Sequence, residues 1–411
     1  MLTSIKKCRS CDSNNIRVVF KLGNQALSGV FRHKNLDDIT SGPLVLVKCN
    51  QCSLVQLQHS YPLDEMYNEG YGYRSGATDF MRQHLRKIIS FASKNTSLVE
   101  GDYVLDIGSN DGTLLDCYQE GKYNRVGIDP VAIKYLESYN EDIKVVTDFF
   151  TKDNYFSVAS KKAKIVTSIS MFYDLENPVT FAKEVASILS FDGVWVIEQS
   201  YLPAMIRQNS YDTICHEHLE YYSLTSVQFI LQQAGMILID ASQNEVNGGS
   251  IRLAAVHVSS PLAEEISSEV TWLIQQEKNH AIDSIKSFEM FQNNVDKQKI
   301  DLVHLLQELK KKGKKVIGYG ASTKGNVILQ HCGITSDLLP YIGDITPFKD
   351  GVYTPGTKIP VISMDKAKAM NPDYFLVLPW AFRNDILHRE KETILNGAKF
   401  IFPLPFVEIV S

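Results

Sequence analysis

The sequence predicts an α/β fold in which two doubly wound, Rossmann-like units follow a small N-terminal module. Three observations predict it. Two Cys-x-x-Cys pairs stand near the N-terminus, strand and helix patterns alternate from about residue 104, and the alternation resumes after residue 315. Repeated βα units are typical of a parallel sheet covered by helices. We expect three domains, at residues 1–78, 79–258 and 259–411.

The N-terminal module carries the two cysteine pairs. Each pair directs two thiolates to one centre, and four thiolates complete the tetrahedral set typical of structural zinc. A redox-active pair and free buried thiols are the alternatives, but two pairs in one short segment favour zinc. The expected ligands are Cys8, Cys11, Cys49 and Cys52.

Composition and charge exclude several classes. The chain has 411 residues, with 42 Lys and Arg against 47 Asp and Glu, so its net charge is −5. A protein built to coat nucleic acid needs a positive surplus. No apolar run approaches the roughly 20 residues of a membrane span, and the N-terminus lacks the apolar core of a signal peptide. We therefore expect a cytoplasmic protein, monomeric, that binds a small molecule rather than nucleic acid or membrane.

Short strand patterns at 17–20, 44–47 and 54–57 fill the module. An aromatic, glycine-rich stretch, 67–75, joins it to an amphipathic helix predicted at 79–95.

The first strand of the central unit, 104–107, runs into a glycine turn with an acidic residue, Asp106, before the first glycine. An acid there repels a pyrophosphate but suits the ammonium of an amino acid, which favours S-adenosylmethionine (SAM) over NAD. Asp129 ends the next strand, where a carboxylate accepts hydrogen bonds from ribose hydroxyls. The expected SAM-binding residues are Asp106, Gly108, Ser109, Asn110, Asp129, Asp148 and Phe149.

A cluster of histidines, carboxylates and tyrosines, residues 211–223, follows the fifth strand of this unit. Histidine titrates near neutrality and can remove a proton that a neighbouring carbonyl acidifies. The residues alone leave three interpretations open: acid–base catalysis, core packing and a second metal site.

These motifs together resemble those of the SAM-dependent sugar C-methyltransferases that act on nucleotide-linked keto-deoxysugars. The resemblance extends nearly end to end and rests on the cysteine pairs and on five further segments: 71–75, 104–115, 215–218, 318–326 and 344–357. It implies a nucleotide diphospho-4-keto-6-deoxysugar as substrate and SAM and structural zinc as cofactors.

The resemblance also implies a mechanism. His218 would remove the proton beside the keto group, and Glu217 would bind a sugar hydroxyl or support the base. Tyr71 or Tyr73 would donate a hydrogen bond to the enolate oxygen or shield it from water. Two positions depart from the family pattern. Cys215 stands where some members carry a tyrosine, and Asp174 where some carry a histidine.

The C-terminal unit offers a strand–glycine–helix turn, 318–326, whose backbone amides and lysine suit a diphosphate. A tight structural turn is the alternative. We expect the substrate between the two sheets, with the N-terminal module as a lid. The expected substrate-binding residues are Tyr222, Asn247, Lys324, Asn326, Tyr353, Trp380 and Arg383.

Other functions fit part of the pattern. Methylation at C3 is favoured, but C5 is also adjacent to a 4-keto group. An O- or N-methyltransferase of a small metabolite would use the same SAM turn. A zinc-ribbon binding protein is disfavoured by the negative charge, and an NAD-dependent oxidoreductase by Asp106.

Overall fold

The computed structural model describes residues 2–34, 36–61, 63–66, 74–282 and 284–411, apart from the side chains of Leu63, Asp64 and Phe348.

The N-terminal segment forms an antiparallel sheet. β2, β3 and β4 pair in sequence order, while β1 pairs with β5. A segment as short as this one cannot bury much of its surface by itself, so one face of its sheet must pack against the rest of the protein. The elements are β1 (Thr3–Ser4), β2 (Ile16–Ala26), β3 (Ser41–Cys49), β4 (Val55–Leu57), β5 (His59–Ser60) and α1 (Leu63–Met66).

The central sheet has the order β12-β13-β10-β9-β6-β7-β8, with β12, β13 and β10 antiparallel and the other pairs parallel. Alternate residues of β10 bury on opposite faces, Trp195 and Ile197 on one and Val194 and Val196 on the other. The elements are α2 (Asp79–Asn95), β6 (Tyr103–Ile107), β7 (Asn124–Ile128), β8 (Lys144–Val146), α3 (Lys152–Val158), β9 (Ala163–Ile169), α4 (Pro178–Ile188), β10 (Leu189–Ser200), α5 (Leu202–Arg207), β11 (Glu220–Tyr221), α6 (Leu224–Gln233), β12 (Met236–Asn244) and β13 (Ser250–His257).

The C-terminal sheet has the order β16-β15-β14-β17-β18-β19 and is parallel except for β19. Two helices, α7 and α8, connect the central sheet to it. The elements are α7 (Ser268–Asn279), α8 (Ile285–Lys311), β14 (Val316–Tyr319), α9 (Thr323–Cys332), β15 (Ile342–Asp344), β16 (Val361–Ser363), α10 (Met364–Ala369), β17 (Tyr374–Val377), α11 (Arg383–Arg389), α12 (Lys391–Leu395), β18 (Lys399–Phe402) and β19 (Glu408–Val410).

The three sheets are packed into one another. The N-terminal sheet shares a hydrophobic core with α8 and the C-terminal sheet, and the rings of Phe20 and Phe291 lie 4.8 Å apart in it. The same N-terminal sheet gains its edge strand, β11, from the central region, since β11 pairs with β4. Residues 210–222, here called the junction loop, therefore lie where all three sheets meet.

The predicted α/β fold class is confirmed, and the helix predicted at 79–95 has those bounds. The strand predicted at 339–342 is wrong, because the strand there is Ile342–Asp344. Pro340 has no amide hydrogen to give to a ladder, so the strand begins after it. Within the described residues, no helix is long and apolar enough to cross a membrane. The domain boundaries remain predictions.

Candidate functional site

The four module cysteines converge. Their Sγ atoms all lie within 4.8 Å of one another, and the pairs Cys8–Cys52 and Cys11–Cys49 are each 3.5 Å apart. Tetrahedral zinc with sulfur at about 2.3 Å separates its ligands by about 3.8 Å. Backbone amides of Ser10 and Gln51 donate to cysteine sulfurs at 3.4 Å. Hydrogen bonding from Cys52 lowers the pKa of Cys8. The donor set therefore fits a closed structural zinc site.

The glycine turn after β6 is fastened to the end of β7 by Asp129. This carboxylate accepts the amide of Asn110 at 2.8 Å and that of Val131 at 2.6 Å. The turn needs left-handed backbone, with φ of 77° at Gly108 and 51° at Asn110. A Cβ on Gly108 would lie 3.0 Å from Met171 Cγ, so a side chain there would be strained by the positive φ and would also have to displace Met171. A carboxylate has about four lone-pair sites, so Asp129 keeps acceptor capacity for ribose hydroxyls.

Asp106 lies beneath this turn and is buried. Its Oδ1 accepts a hydrogen bond from Thr167 Oγ1 at 2.6 Å, and burial raises its pKa to about 7. A cation beside it would favour the charged form. Ser109 faces elsewhere: its Oγ lies 2.8 Å from the hydroxyl of Tyr139. The side chain of Ser109 is thus used to hold the turn.

The predicted adenine contacts follow β8. Asp148 Oδ1 accepts the amide of Phe149 at 2.7 Å, and the Phe149 side chain is 56% exposed. An exposed ring offers a stacking surface for a base. Together with the glycine cradle and the carboxylates of Asp106 and Asp129, these residues fit SAM.

His218 has a defined tautomer in the junction loop. Its Nδ1 lies 2.8 Å from the carbonyl oxygen of Thr213, which only accepts, so Nδ1 carries the hydrogen and Nε2 the lone pair. The ring packs 4.1 Å from that of Tyr173. Burial, and then the charge of Lys324, lowers the pKa of His218 to about 3. The imidazole is neutral at physiological pH and Nε2 can accept a proton.

Glu217 lies beneath the N-terminal module. A Cβ built on Gly29 would lie 2.7 Å from Glu217 Oε1 and 3.6 Å from Thr323 Oγ1. Burial raises the pKa of Glu217. Among the described residues, its Oε2 has no hydrogen-bond partner, so this oxygen has capacity to bind a ligand hydroxyl.

The other members of the cluster are packed into the protein. The His216 ring is fully buried, 4.5 Å from the ring of Tyr61, and burial lowers its pKa to about 4. Cys215 is also buried, which raises its pKa well above the usual range. Tyr222 donates from its hydroxyl to the carbonyl of Phe172 at 3.3 Å. Those three side chains therefore support the loop.

Asp174, the second departure from the family pattern, is partly buried at the end of the Phe172–Asp174 turn. Burial, and to a smaller extent the charges of Glu217 and Asp174, raises the pKa of Cys215. The predicted residues Tyr71 and Tyr73 lie outside the described residues.

Residues of the C-terminal unit close the loop from the other side. Lys324 Nζ donates to the carbonyl of Asn247 at 2.8 Å, and Trp380 Nε1 donates to Asp212 Oδ2 at 2.8 Å. Asp212 favours the charged form of Lys324, whose pKa burial lowers. The structure thus brings Asn247, Lys324 and Trp380 to the junction loop.

Asn326 is fully buried and donates from its side-chain amide to the carbonyl of Ser28 at 2.7 Å, which fastens the N-terminal module to α9. Arg383 instead makes a bidentate pair with Glu408, at 2.6 and 2.9 Å. Tyr353 donates its amide to the carbonyl of Arg32 at 2.9 Å.

The contribution of the N-terminal module to this site is not predicted from the sequence. Ser28 and Gly29 belong to no recognisable motif. The sequence shows there only two small residues before the apolar Val30. Asp212 and Thr213 stood inside the quoted cluster without an assigned role, although a carboxylate three residues before a Cys-His-Glu-His run was a visible signal.

Comparisons with known proteins match the chain in three consecutive parts. Residues 8–67 match a model for a zinc-binding domain, 78–241 a methyltransferase domain and 245–405 a C-methyltransferase C-terminal domain. The C-methyltransferase NovU of Streptomyces niveus is 28% identical over 99% of this chain and 97% of its own length.

Solved structures match less than half of the chain. A chain of the complex containing the Haloferax volcanii Trm112 methyltransferase activator is 16% identical, with a TM-score of 0.34, over 45% of this chain and 99% of its own. A SAM-dependent methyltransferase of Clostridium acetobutylicum is 12% identical, with a TM-score of 0.34, over 44% of this chain and 93% of its own.

Proposed function

We propose that this chain methylates a nucleotide diphospho-4-keto-6-deoxysugar. The chain belongs to the sugar C-methyltransferase family, as its three consecutive domain matches and its full-length relative indicate. The acceptor is a carbon next to the keto group. We favour C3, with C5 as the alternative. The cofactors are SAM at the glycine turn and a structural zinc in the cysteine cluster.

The tautomer of His218 is the observation that carries the proposal. A C-methyltransferase must remove a proton from carbon, whereas transfer to a hydroxyl or amine starts from an atom that already has a lone pair. The hydrogen bond from His218 Nδ1 to the Thr213 carbonyl directs the basic Nε2 away from the loop backbone. A fixed neutral imidazole is what proton abstraction beside a ketone requires.

The reaction balances with the groups at hand. His218 Nε2 takes the proton from the carbon beside the ketone, and the electron pair left behind forms an enolate. SAM held at the glycine turn would supply an electrophilic methyl group, and the enolate carbon would take that methyl group as S-adenosylhomocysteine leaves with the electron pair of the broken C–S bond. His218 then returns its proton to solvent.

Lys324 couples substrate charge to the base. Its ammonium has three donors, one of which is given to the Asn247 carbonyl, so two can serve an anionic ligand. Burial, and after it this charge, lowers the pKa of His218. A diphosphate or an enolate beside Lys324 offsets that charge, so the pKa of His218 rises toward the working pH when substrate is bound. A base is most effective with its pKa near the working pH.

Glu217 is the residue best placed for a sugar hydroxyl. Its Oε2 is free of hydrogen bonds within the described part of the chain, and Gly29 leaves no side chain in the way. A carboxylate that receives a substrate hydroxyl rejects an analogue that lacks it, because the carboxylate then stays buried and unpaired.

The test is a mass-spectrometric assay with SAM and a panel of nucleotide 4-keto-6-deoxysugars, run in deuterated water. Wild type should add one methyl to one sugar, and without SAM it should exchange one carbon-bound hydrogen for deuterium. His218→Ala should lose both activities, while the exposed His280→Ala should keep them. Methylation without any deuterium exchange would instead favour an O- or N-methyltransferase.

A further inference from the structure

We propose that Gln56 is a positioning residue that links the cysteine cluster to the junction loop and thereby holds His218 in place. The inference rests on the proposed function only for its kinetic part. Its structural part concerns contacts between the N-terminal module and the loop.

Both ends of the Gln56 side chain are engaged in the first cysteine knuckle. Nε2 donates to Cys8 Sγ at 3.2 Å, and Oε1 accepts the backbone amide of Arg9 at 3.0 Å. The residue is fully buried, so water does not replace a lost partner. Partners of metal ligands orient those ligands, and here the partner also belongs to a strand.

The backbone of Gln56 holds the junction loop. In the β4–β11 pair, Gln56 stands opposite Glu220, and the next amide, that of Leu57, donates to the carbonyl of Leu219 at 2.8 Å. Leu219 directly follows His218, and its own amide donates to the carbonyl of Tyr173 at 2.8 Å. The residue after the base is thus held between the zinc module and the central sheet.

Arg9 supplies a second connection from the same knuckle. Its buried guanidinium donates to the carbonyl of Leu57 at 2.6 Å, to Ser60 Oγ at 2.9 Å and to Glu176 Oε2 at 2.9 Å. It also lies 4.0 Å from Glu220. Strand β4 is therefore fixed to the knuckle by side chain and backbone, and β11 is fixed to β4.

Through these contacts, a zinc ion in the cysteine cluster would also stabilise the junction loop, which lies outside the N-terminal module. Four thiolates leave zinc no open position for catalysis. Zinc that fixes Cys8 also fixes Gln56, and through β4 and β11 it fixes the loop residue next to His218. A misplacement of about 1 Å at a reacting group costs on the order of 100-fold in rate.

The test compares two substitutions at Gln56 by hydrogen–deuterium exchange in the full-length, zinc-loaded protein. Gln56→Met keeps the length and loses both hydrogen bonds. Gln56→Glu keeps the acceptor for the Arg9 amide and loses the donor to Cys8. Gln51→Met is the matched control, because the exposed Gln51 contacts its knuckle through the backbone amide. Zinc content and SAM affinity are measured for each protein.

We expect Gln56→Met to speed exchange at the amides of Leu57 and Leu219 and to lower kcat by on the order of tenfold with KM and SAM affinity unchanged. Chelation of zinc from wild type should speed exchange at the same two amides, and Gln51→Met should change neither. If Gln56→Met fails to retain zinc, Gln56→Glu carries the same expectations. Unchanged exchange at Leu219 in the Gln56 variant, or after chelation, overturns the proposal. The exchange readout needs no substrate, so it stands apart from the proposed reaction.

Discussion

Gly29→Ala should impair catalysis although Gly29 belongs to the N-terminal module. A Cβ there would lie 2.7 Å from Glu217 Oε1, whereas ordinary contact begins at 3.4 Å. The carboxylate must therefore move by about 0.7 Å, and since a 1 Å misplacement costs on the order of 100-fold, we expect kcat/KM to fall by at least about tenfold. Tenfold corresponds to about 1.4 kcal/mol of transition-state stabilisation. The backbone at Gly29 is not left-handed, so alanine itself introduces no strain.

A double-mutant cycle separates this contact from a general effect. Glu217→Asp withdraws the carboxylate by one methylene, which makes room for the new methyl group, so Gly29→Ala should cost much less in that background. The assay is steady-state methyl transfer, with SAM affinity and thermal midpoint measured as controls on folding. An equal cost of Gly29→Ala in both backgrounds, or no cost in either, would refute the placement of Glu217 beneath Gly29.

Two further predictions concern the histidines of the junction loop. The pKa of His216 is about 4 in the folded protein and about 6.5 when unfolded, so between these values only the unfolded state takes up a proton and stability falls as pH falls. His216→Leu should therefore spare about 2 kcal/mol of the unfolding free energy that wild type loses between pH 7 and 5, measured by denaturant titration; parallel losses in the two proteins would contradict it. Lys324→Met removes a positive charge that opposes protonation of His218, so the pKa of His218 should rise above its wild-type value of about 3 in an NMR titration of the ligand-free enzyme. An unshifted titration would mean that burial alone sets this pKa.

Local spacing made the cysteine cluster and the glycine turn predictable. A Cys-x-x-Cys pair brings its two thiols together within one turn, and the two such pairs among the seven cysteines of this sequence converge on one another. The glycine turn after β6 also depends on short-range features. Gly108 adopts positive φ within the turn, and Asp129 directly follows β7, the neighbouring parallel strand. A pattern whose residues lie within one or two neighbouring elements therefore predicts the local structure reliably.

The contacts between units were not predictable in this way. Gly29 approaches Glu217 and Ser28 receives Asn326 across long stretches of chain, and hydrophobic periodicity reports which face is buried but not what covers it. Arg383 illustrates the converse. An arginine on a loop after a strand suits a phosphate, yet Glu408, on the antiparallel edge strand β19, takes its guanidinium.

The burial of Cys215 indicates what its departure from the family pattern changes. A tyrosine at the position of Cys215 would carry a hydroxyl well beyond the loop, whereas the Cys215 thiol is buried and kept neutral by burial and by Glu217. A developing enolate still needs a donor, because charge that forms in a water-poor site must meet a fixed positive partner. Lys324 is the cation whose charge already reaches His218, and it holds two donors in reserve. We therefore expect the oxyanion donor of this chain to come from the C-terminal unit, through Lys324, rather than from the junction loop.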